Sequence, residues 1–197
     1  MLGRVETSPE GSLGGARVLV MGVGNRLLLD DGIGSCFAEA LASFDPPGWL
    51  EVIDGGIGGL GLLDYMEGKD LLFLVDALSG DDPPGSVKLL RVNPDALEPQ
   101  EALRLVVEVG SHGIVPEILL ASASALGVLP PESYVLGVVP LSVDLGEGLT
   151  PRAVEGCVRA LVLLREELAR RGLELPVDER DFREKLVETC GLREPRG

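Results

Sequence analysis

The sequence GVGNRLLLDDGIG, residues 22–34, directly follows the apolar run ARVLVM, residues 16–21, and this transition decides the fold. A continuous apolar run predicts a strand that is buried on both faces, as in a parallel sheet covered by helices. The residues after it supply four glycines, one asparagine and two adjacent aspartates. A loop of this composition either holds a phosphate group or presents a carboxylate at the end of the strand.

Strand-like and helix-like segments alternate along the rest of the chain. After the first strand, strands are predicted over residues 49–54, 70–78, 86–92 and 133–140, and helices over residues 34–44, 59–67, 114–127 and 150–172. In the helix over residues 150–172, Thr150 suits the N-cap, Pro151 the first helical position and Gly172 the end. The alternation predicts an α/β fold, a three-layer αβα sandwich with a largely parallel, five-stranded twisted sheet. Ligands of such folds bind beyond the carboxyl ends of the strands.

The length of 197 residues suits one domain with a sizeable core. Residues 1–15 are polar and rich in glycine, which predicts a flexible leader. Residues 16–172 form the predicted single α/β domain, and residues 173–197 a charged C-terminal tail with a short helix over 178–190. Residues 103–109 fit either a strand or a helix end.

The formal net charge of −15 argues against nucleic acid and anionic membranes as partners, because both require basic surfaces. No apolar run is long enough to span a bilayer, and no signal peptide is visible. The three cysteines are widely spaced and odd in number, which argues against a disulfide framework and a zinc–thiolate site. A reducing, cytoplasmic location is therefore expected.

The phosphate interpretation of residues 22–34 fails on spacing. A dinucleotide-binding fingerprint requires GxGxxG after a strand, and Gly22 and Gly24 fit, but residue 27 is leucine. Asp54 ends the second strand, as a ribose-binding carboxylate would, but it lies too far downstream. Asp30 and Asp31 would also repel a pyrophosphate bound in the same loop.

The carboxylate interpretation rests on acidic residues that follow predicted strands. Asp31 lies in the loop after the first strand, and Asp76 follows five apolar residues of the third. Taken alone, Asp76 fits equally well as a cap on the following turn. His112, the sole histidine, lies between small residues just before a helix. Two carboxylates and one imidazole suit a divalent transition metal with coordination positions left open, so these three residues form a candidate metal site.

The order of these motifs resembles the hydrogenase maturation endopeptidases, which remove a C-terminal extension from the large subunit of nickel–iron hydrogenases. That family opens with a strand and a loop of the form GxGN-x-L-x-x-D-[DE]-x-x-G. Strands ending in D-G-G and in D-A follow, and then a lone histidine before a helix. The matching residues here are Gly22, Gly24, Asn25, Leu27, Asp30, Asp31, Gly34, Asp54, Gly55, Gly56, Asp76, Ala77 and His112. The resemblance covers roughly residues 17–170.

The resemblance implies that Asp31, Asp76 and His112 are both the metal-contacting and the catalytic residues. Gly24, Asn25, Asp30, Asp54, Gly55 and Gly56 would form the supporting loops. The implied partner is the precursor large subunit, and the implied metal is nickel carried by that substrate, although other divalent metals could occupy the site.

The implied reaction is peptide hydrolysis after nickel insertion, with water activated either by metal or by a carboxylate acting as general base. Two other functions stay open at this point. One is a nucleotide- or cofactor-binding module that uses Gly22 and Gly24, and the other is a nickel-binding maturation chaperone without cleavage activity.

Overall fold

A five-stranded sheet organises the part of the chain that the structure, a computed structural model, describes: residue 15, residues 17–96 and residues 116–193. The strands are β1 (Val18–Val23), β2 (Leu50–Gly56), β3 (Leu71–Ala77), β4 (Val87–Arg91) and β5 (Glu132–Val138). Their order across the sheet is β2–β1–β3–β5–β4. The first four strands in that order run parallel, and β4 pairs antiparallel with β5 at the edge. The predicted, largely parallel sheet is confirmed.

Alternate residues of the central strands contact opposite helical layers, because successive side chains of a strand point to opposite faces of a sheet. Val18 and Val20 of β1 pack toward one layer, and Leu19 and Met21 toward the other. The first layer contains α1 (Ile33–Ala42), α4 (Pro151–Ala169) and α5 (Glu179–Cys190). The second contains α2 (Leu63–Met66) and α3 (Pro116–Ala125). The three-layer prediction is therefore confirmed.

The long helix α4 begins and ends as its sequence predicts. The hydroxyl of Thr150 accepts a hydrogen bond from the Ala153 amide at 3.3 Å, and Pro151 occupies the first helical position. Gly172 has a φ of +73°, which glycine adopts without the steric penalty of other residues. These signals act locally, so they could be read without knowing the tertiary contacts.

The C-terminal residues 173–193 pack on the domain. Phe182 and Leu186 of α5 are fully buried, and the ring of Phe182 lies edge-on against Phe37 of α1 with centroids 5.0 Å apart. After the helix, the Arg193 amide donates to the Leu149 carbonyl at 2.8 Å. The domain boundary at residue 172 stays a prediction, but the described residues beyond it contribute to the same core.

A disulfide joins Cys36 of α1 to Cys190 at the end of α5, with Cα atoms 5.9 Å apart. The prediction that the cysteines form no disulfide was wrong. The error arose because 154 residues separate the two cysteines, and only the packing of α5 on α1 brings them together. Cys157 is the third cysteine; it is buried and unpaired. The argument for a reducing compartment from cysteine usage therefore no longer holds.

The segment predicted over 103–109 lies outside the described residues, as does His112. Within the described parts of the chain, every helix is too short or too polar to cross a lipid bilayer.

Candidate functional site

The candidate site lies where the parallel strands β1 and β3 end beside each other. In the sheet, β2 lies on the other side of β1, and β5 lies on the other side of β3. The connection that leaves β1 and the one that leaves β3 therefore run toward opposite sides of the sheet. Such a change of direction opens a crevice at the carboxyl ends of two neighbouring strands. Asp31 follows β1, and Asp76 is the penultimate residue of β3. The structure thus brings these two predicted residues to one edge of the sheet.

The loop after β1 holds Asp31 through its own backbone. The Asn25 amide donates to Oδ2 of Asp31 at 3.0 Å, and the Asn25 side-chain oxygen accepts from the Leu27 amide at 3.0 Å. Through the second bond, the Asn25 side chain satisfies a backbone group of the turn. Asp31 is partly exposed, and among the described residues its carboxylate accepts a hydrogen bond from the Asn25 amide, which leaves further acceptor positions for another group.

The glycines of this loop are required by contacts within the chain. A Cβ atom on Gly22 would overlap the carbonyl oxygen of Gly34, and one on Gly24 would overlap that of Asp31. A Cβ on Gly34 would overlap the carbonyl oxygens of Val23 and Val75. Packing within the chain therefore accounts for these three glycines, and no bound phosphate is needed to explain them. This packing favours the carboxylate interpretation of the loop over the phosphate interpretation.

Asp30, the neighbour of Asp31, is fully buried and has a different role. Its Oδ1 accepts from the Thr150 amide at 2.7 Å, and its Oδ2 accepts from the Thr150 hydroxyl at 2.7 Å. Oδ2 also accepts from the amides of Leu141 at 2.8 Å and Ser142 at 3.3 Å. A carboxylate can stay charged in the interior when hydrogen bonds replace its water shell. Asp30 thereby ties the loop after β1 to the segment after β5 and to the start of α4.

Asp76 is the described carboxyl group whose pKa changes most clearly. Burial raises the pKa of Asp76 to about 8, although a hydrogen bond from the Ala77 amide acts in the opposite direction. The negative charges of Asp31 and Glu117 raise the pKa of Asp76 further. Among the described residues, two other carboxylates and no cation perturb Asp76, and a carboxyl group in such an environment is a recognised mark of a functional position.

Glu117 was not predicted as a site residue. It lies in the first turn of α3, four residues before the buried Ala121. An acidic residue in the first turn of a helix is common, because it interacts favourably with the helix dipole, so its position in the sequence carries no functional signal.

Asp54 belongs to a different set of contacts. Its Oδ2 accepts from the guanidinium of Arg26 at 3.0 Å. Arg26 also donates to the hydroxyl of Ser35 at 2.7 Å and pairs with Glu39. The arginine thus joins the loop after β1 to α1 and to the end of β2. Arg26 was missed, because nothing in the sequence shows which of many acidic residues a single arginine contacts.

Gly55 and Gly56, the other predicted supporting residues, shape the end of β2. A Cβ atom on Gly55 would lie 2.9 Å from a methyl carbon of Leu62, and Gly56 has a φ of +47°. The carbonyl of Gly56 accepts from the Gly24 amide at 3.0 Å. These contacts fix the position of the β2 end relative to the loop that carries Asp31.

The third predicted metal ligand, His112, lies outside the described residues. Among the residues that the structure describes, no group of three histidine, cysteine, aspartate or glutamate side chains forms a metal site. The two-aspartate and one-histidine set therefore stays a prediction. The chemistry of the described pair fits a divalent cation, because carboxylate oxygens bind such ions.

The sequence and the fold are similar to those of known hydrogenase maturation proteins. The family model for hydrogenase maturation protease matches residues 36–164. Hydrogenase 2 maturation protease of Escherichia coli (strain K12) is 31% identical over 160 residues, which cover 80% of this chain and 94% of the relative. The hydrogenase expression/formation protein HupD of Thiocapsa roseopersicina is 31% identical over 162 residues, with 79% and 69% covered.

Solved structures agree with the sequence comparison. The hydrogenase maturating endopeptidase HybD from E. coli has a TM-score of 0.63 and 32% identity, covering 81% of this chain and 96% of its own. Hydrogenase 2 maturation peptidase from Thaumarchaeota archaeon SCGC_AB-539-E09 has a TM-score of 0.58 and 29% identity, covering 77% and 97%.

Proposed function

The chain belongs to the hydrogenase maturation protease family and is a peptidase, and from this premise we propose that it removes the C-terminal extension of a nickel–iron hydrogenase large-subunit precursor after nickel insertion. The substrate-borne nickel is contacted by Asp31, Asp76 and His112. Cleavage releases the extension beside the metal.

One observation carries the assignment of the site. In a chain of this family, Asp31 and Asp76 stand at the carboxyl ends of two neighbouring parallel strands, close enough for the charge of one to shift the pKa of the other. The nearby arginine, Arg26, is already paired with Glu39 and Asp54. A nickel ion presented by the precursor would supply positive charge to these two carboxylates.

The division of tasks at the site follows from the contacts of each residue. Asp31 is held by the Asn25 amide and is partly exposed. Asp76 lies deeper, where burial raises its pKa. Together the two carboxylates would place the nickel, and with it the neighbouring peptide bond. The attacking water is then activated either by the substrate's metal or by a carboxylate acting as general base.

The alternative functions are separated by different observations. A nucleotide-binding module would need open space around Gly22 and Gly24, and both positions are closed by the backbone of Gly34 and Asp31. A nickel-binding chaperone without cleavage activity has the same site requirements as the protease. Only an assay of cleavage separates those two functions.

The test uses purified precursor large subunit in nickel-loaded and nickel-free forms, with loss of the extension followed by its mobility shift. We expect the wild-type protein to process the loaded form only. Asp31→Asn, Asp76→Asn and His112→Ala should lose processing, while Asp181→Asn, the same change on the exposed face of α5, should retain it.

Three outcomes would contradict parts of this proposal. Equal processing of both precursor forms would eliminate nickel recognition and leave the peptidase assignment standing. Full processing by Asp31→Asn or Asp76→Asn would refute the assignment of the site. Binding of loaded precursor with no cleavage by the wild-type protein would favour the chaperone.

A further inference from the structure

Aliphatic side chains are exposed around the candidate site. Of the ten large hydrophobic residues that are exposed in the described part of the chain, four lie in the two segments that follow β1 and β5. We call them the aliphatic patch: Leu27, Leu141, Val143 and Leu145. Leu145 is 82% exposed, which leaves nearly its whole side chain in water. Single exposed leucines are ordinary, but several on adjoining segments mark an interaction surface.

The backbone beneath the aliphatic patch is fixed. The Gly146 amide donates to the Leu27 carbonyl at 2.8 Å, and the Leu29 amide donates to the Gly146 carbonyl at 2.9 Å. The Asp30 amide donates to the Ser142 carbonyl at 3.1 Å, beside the side-chain bonds that bury Asp30. The two segments therefore form one hydrogen-bonded unit, and a partner would bind it without first ordering it.

The charges beside the patch indicate the chemistry of its partner. Asp144 and Glu147 lie in the same segment as Leu145, and both are exposed. Arg26, next to Leu27, directs its guanidinium to Glu39 and Asp54 and so adds no free positive charge. An aliphatic surface bordered by carboxylates is complementary to a polypeptide that carries aliphatic side chains together with lysine or arginine.

We propose that the aliphatic patch docks a segment of the substrate polypeptide that adjoins the cleaved bond and combines aliphatic with basic side chains. This inference rests on the proposed function, because Leu27 of the patch lies in the same loop as Asp31, and the segment with the other three patch residues is hydrogen-bonded to that loop. The nickel ion would select the correctly loaded precursor. The patch would supply affinity for the polypeptide around the metal.

The first experiment measures binding without cleavage, by fluorescence anisotropy of labelled 12-residue peptides. One peptide alternates leucine and valine with lysine, a second has glutamate for lysine, and a third has serine for the aliphatic residues. We expect only the first to bind well. Leu145→Asn should weaken the binding of this first peptide about ten- to hundredfold, because that factor corresponds to the free energy of burying one leucine side chain. Glu147→Gln should weaken it severalfold and reduce its dependence on salt.

The matched control is Leu126→Asn. Leu126 is 68% exposed and lies between α3 and β5, at the opposite edge of the sheet from the candidate site. The Leu126→Asn variant should bind the first peptide within twofold of wild type. Equal binding by Leu145→Asn and wild type would overturn the proposal, and so would an equal loss in both leucine variants.

The second experiment separates this proposal from the proposed function. With loaded precursor as substrate, Leu145→Asn should raise KM at least tenfold and leave kcat within about twofold of wild type. Normal cleavage by wild type with an unchanged KM in Leu145→Asn would refute the docking surface and leave the function intact. Failure of the wild-type protein to cleave either precursor form would refute the function, and the peptide titration would then decide whether the patch binds such a segment.

Discussion

Removing the disulfide between Cys36 and Cys190 should lower the free energy of unfolding substantially. The perturbation is the double variant Cys36→Ala/Cys190→Ala, which leaves Cys157 as the remaining cysteine. In the folded state Phe182 and Leu186 keep α5 packed on the domain, so the native contacts change little. The main effect falls on the unfolded chain, which regains the conformational freedom that the crosslink removes.

The magnitude follows from the separation of the two cysteines. For a closed loop of 154 residues, the loop-closure relation gives an entropy term of about 17 cal/mol/K, or about 5 kcal/mol at 25 °C. Measured effects of disulfides commonly fall below this relation, so the expected loss is about 2 to 5 kcal/mol. The bond joins residues far apart in the chain, which places it among the more effective crosslinks in the entropy model.

The assay is equilibrium unfolding in guanidinium chloride, with and without a thiol reductant. Reductant should destabilise the wild-type protein to the level of the double variant and should leave the double variant unchanged. Titration of thiols in the denatured, unreduced wild-type protein should find one thiol, that of Cys157, and three after reduction. Three thiols before reduction, or a loss of stability below about 1 kcal/mol, would refute the reasoning.

Two further predictions concern the aspartates of the site. Asp30→Asn should destabilise the protein by about 3 kcal/mol or more, because the NH2 group of asparagine would face backbone N–H groups that now donate to the Asp30 carboxylate. Asp31→Asn should lower the free energy of unfolding by under about 1 kcal/mol. Equal melting temperatures for the two variants would contradict this prediction. For metal-free Asp76, with a pKa raised from 3.8 to about 8, the folded state binds more protons than the unfolded state between those values. The contribution of Asp76 to the free energy of unfolding is present in full below pH 4. It falls by up to about 1.4 kcal/mol per pH unit as the pH rises to 8. The stability of Asp76→Asn relative to wild type, measured by urea unfolding from pH 4 to 9, should therefore increase with pH and level off above 8, and a difference independent of pH would refute the assignment.

The fold was largely predictable because its signals are local. The apolar runs of β1 and β3 reflect strands buried on both faces, and each side chain in those runs is nearly inaccessible to solvent. Thr150 and Gly172 begin and end α4 through their own backbone preferences. Asp31 and Asp76 could be placed at one edge of the sheet because parallel strands all end on the same side.

The remaining features depend on contacts between distant residues. The pairing of Cys36 with Cys190 follows from the packing of α5 on α1. The odd number of cysteines in the sequence gives no indication of this pairing. Arg26 pairs with Glu39 and Asp54, among many acidic residues of the chain, because the fold brings these two carboxylates beside it. Asp54 was predicted from its position at the end of β2, yet it is bound to this arginine. Its position beside the strand end was correct, but position could not identify its partner.

Asp30 and Asp31 are chemically identical neighbours, and the fold uses them for unrelated purposes. The carboxylate of Asp30 accepts hydrogen bonds from amides and a hydroxyl of residues 141–150, whereas that of Asp31 accepts one from the Asn25 amide, and Asp31 is partly exposed. Two adjacent residues thus divide the tasks: Asp30 stabilises the loop, and Asp31 is available for chemistry. A loop arranged in this way can exchange its reactive group without being rebuilt: the residue at position 31 could be lengthened, shortened or given another ligand atom while Asp30 keeps the scaffold in place. The same framework could therefore present different ligand sets to different metals.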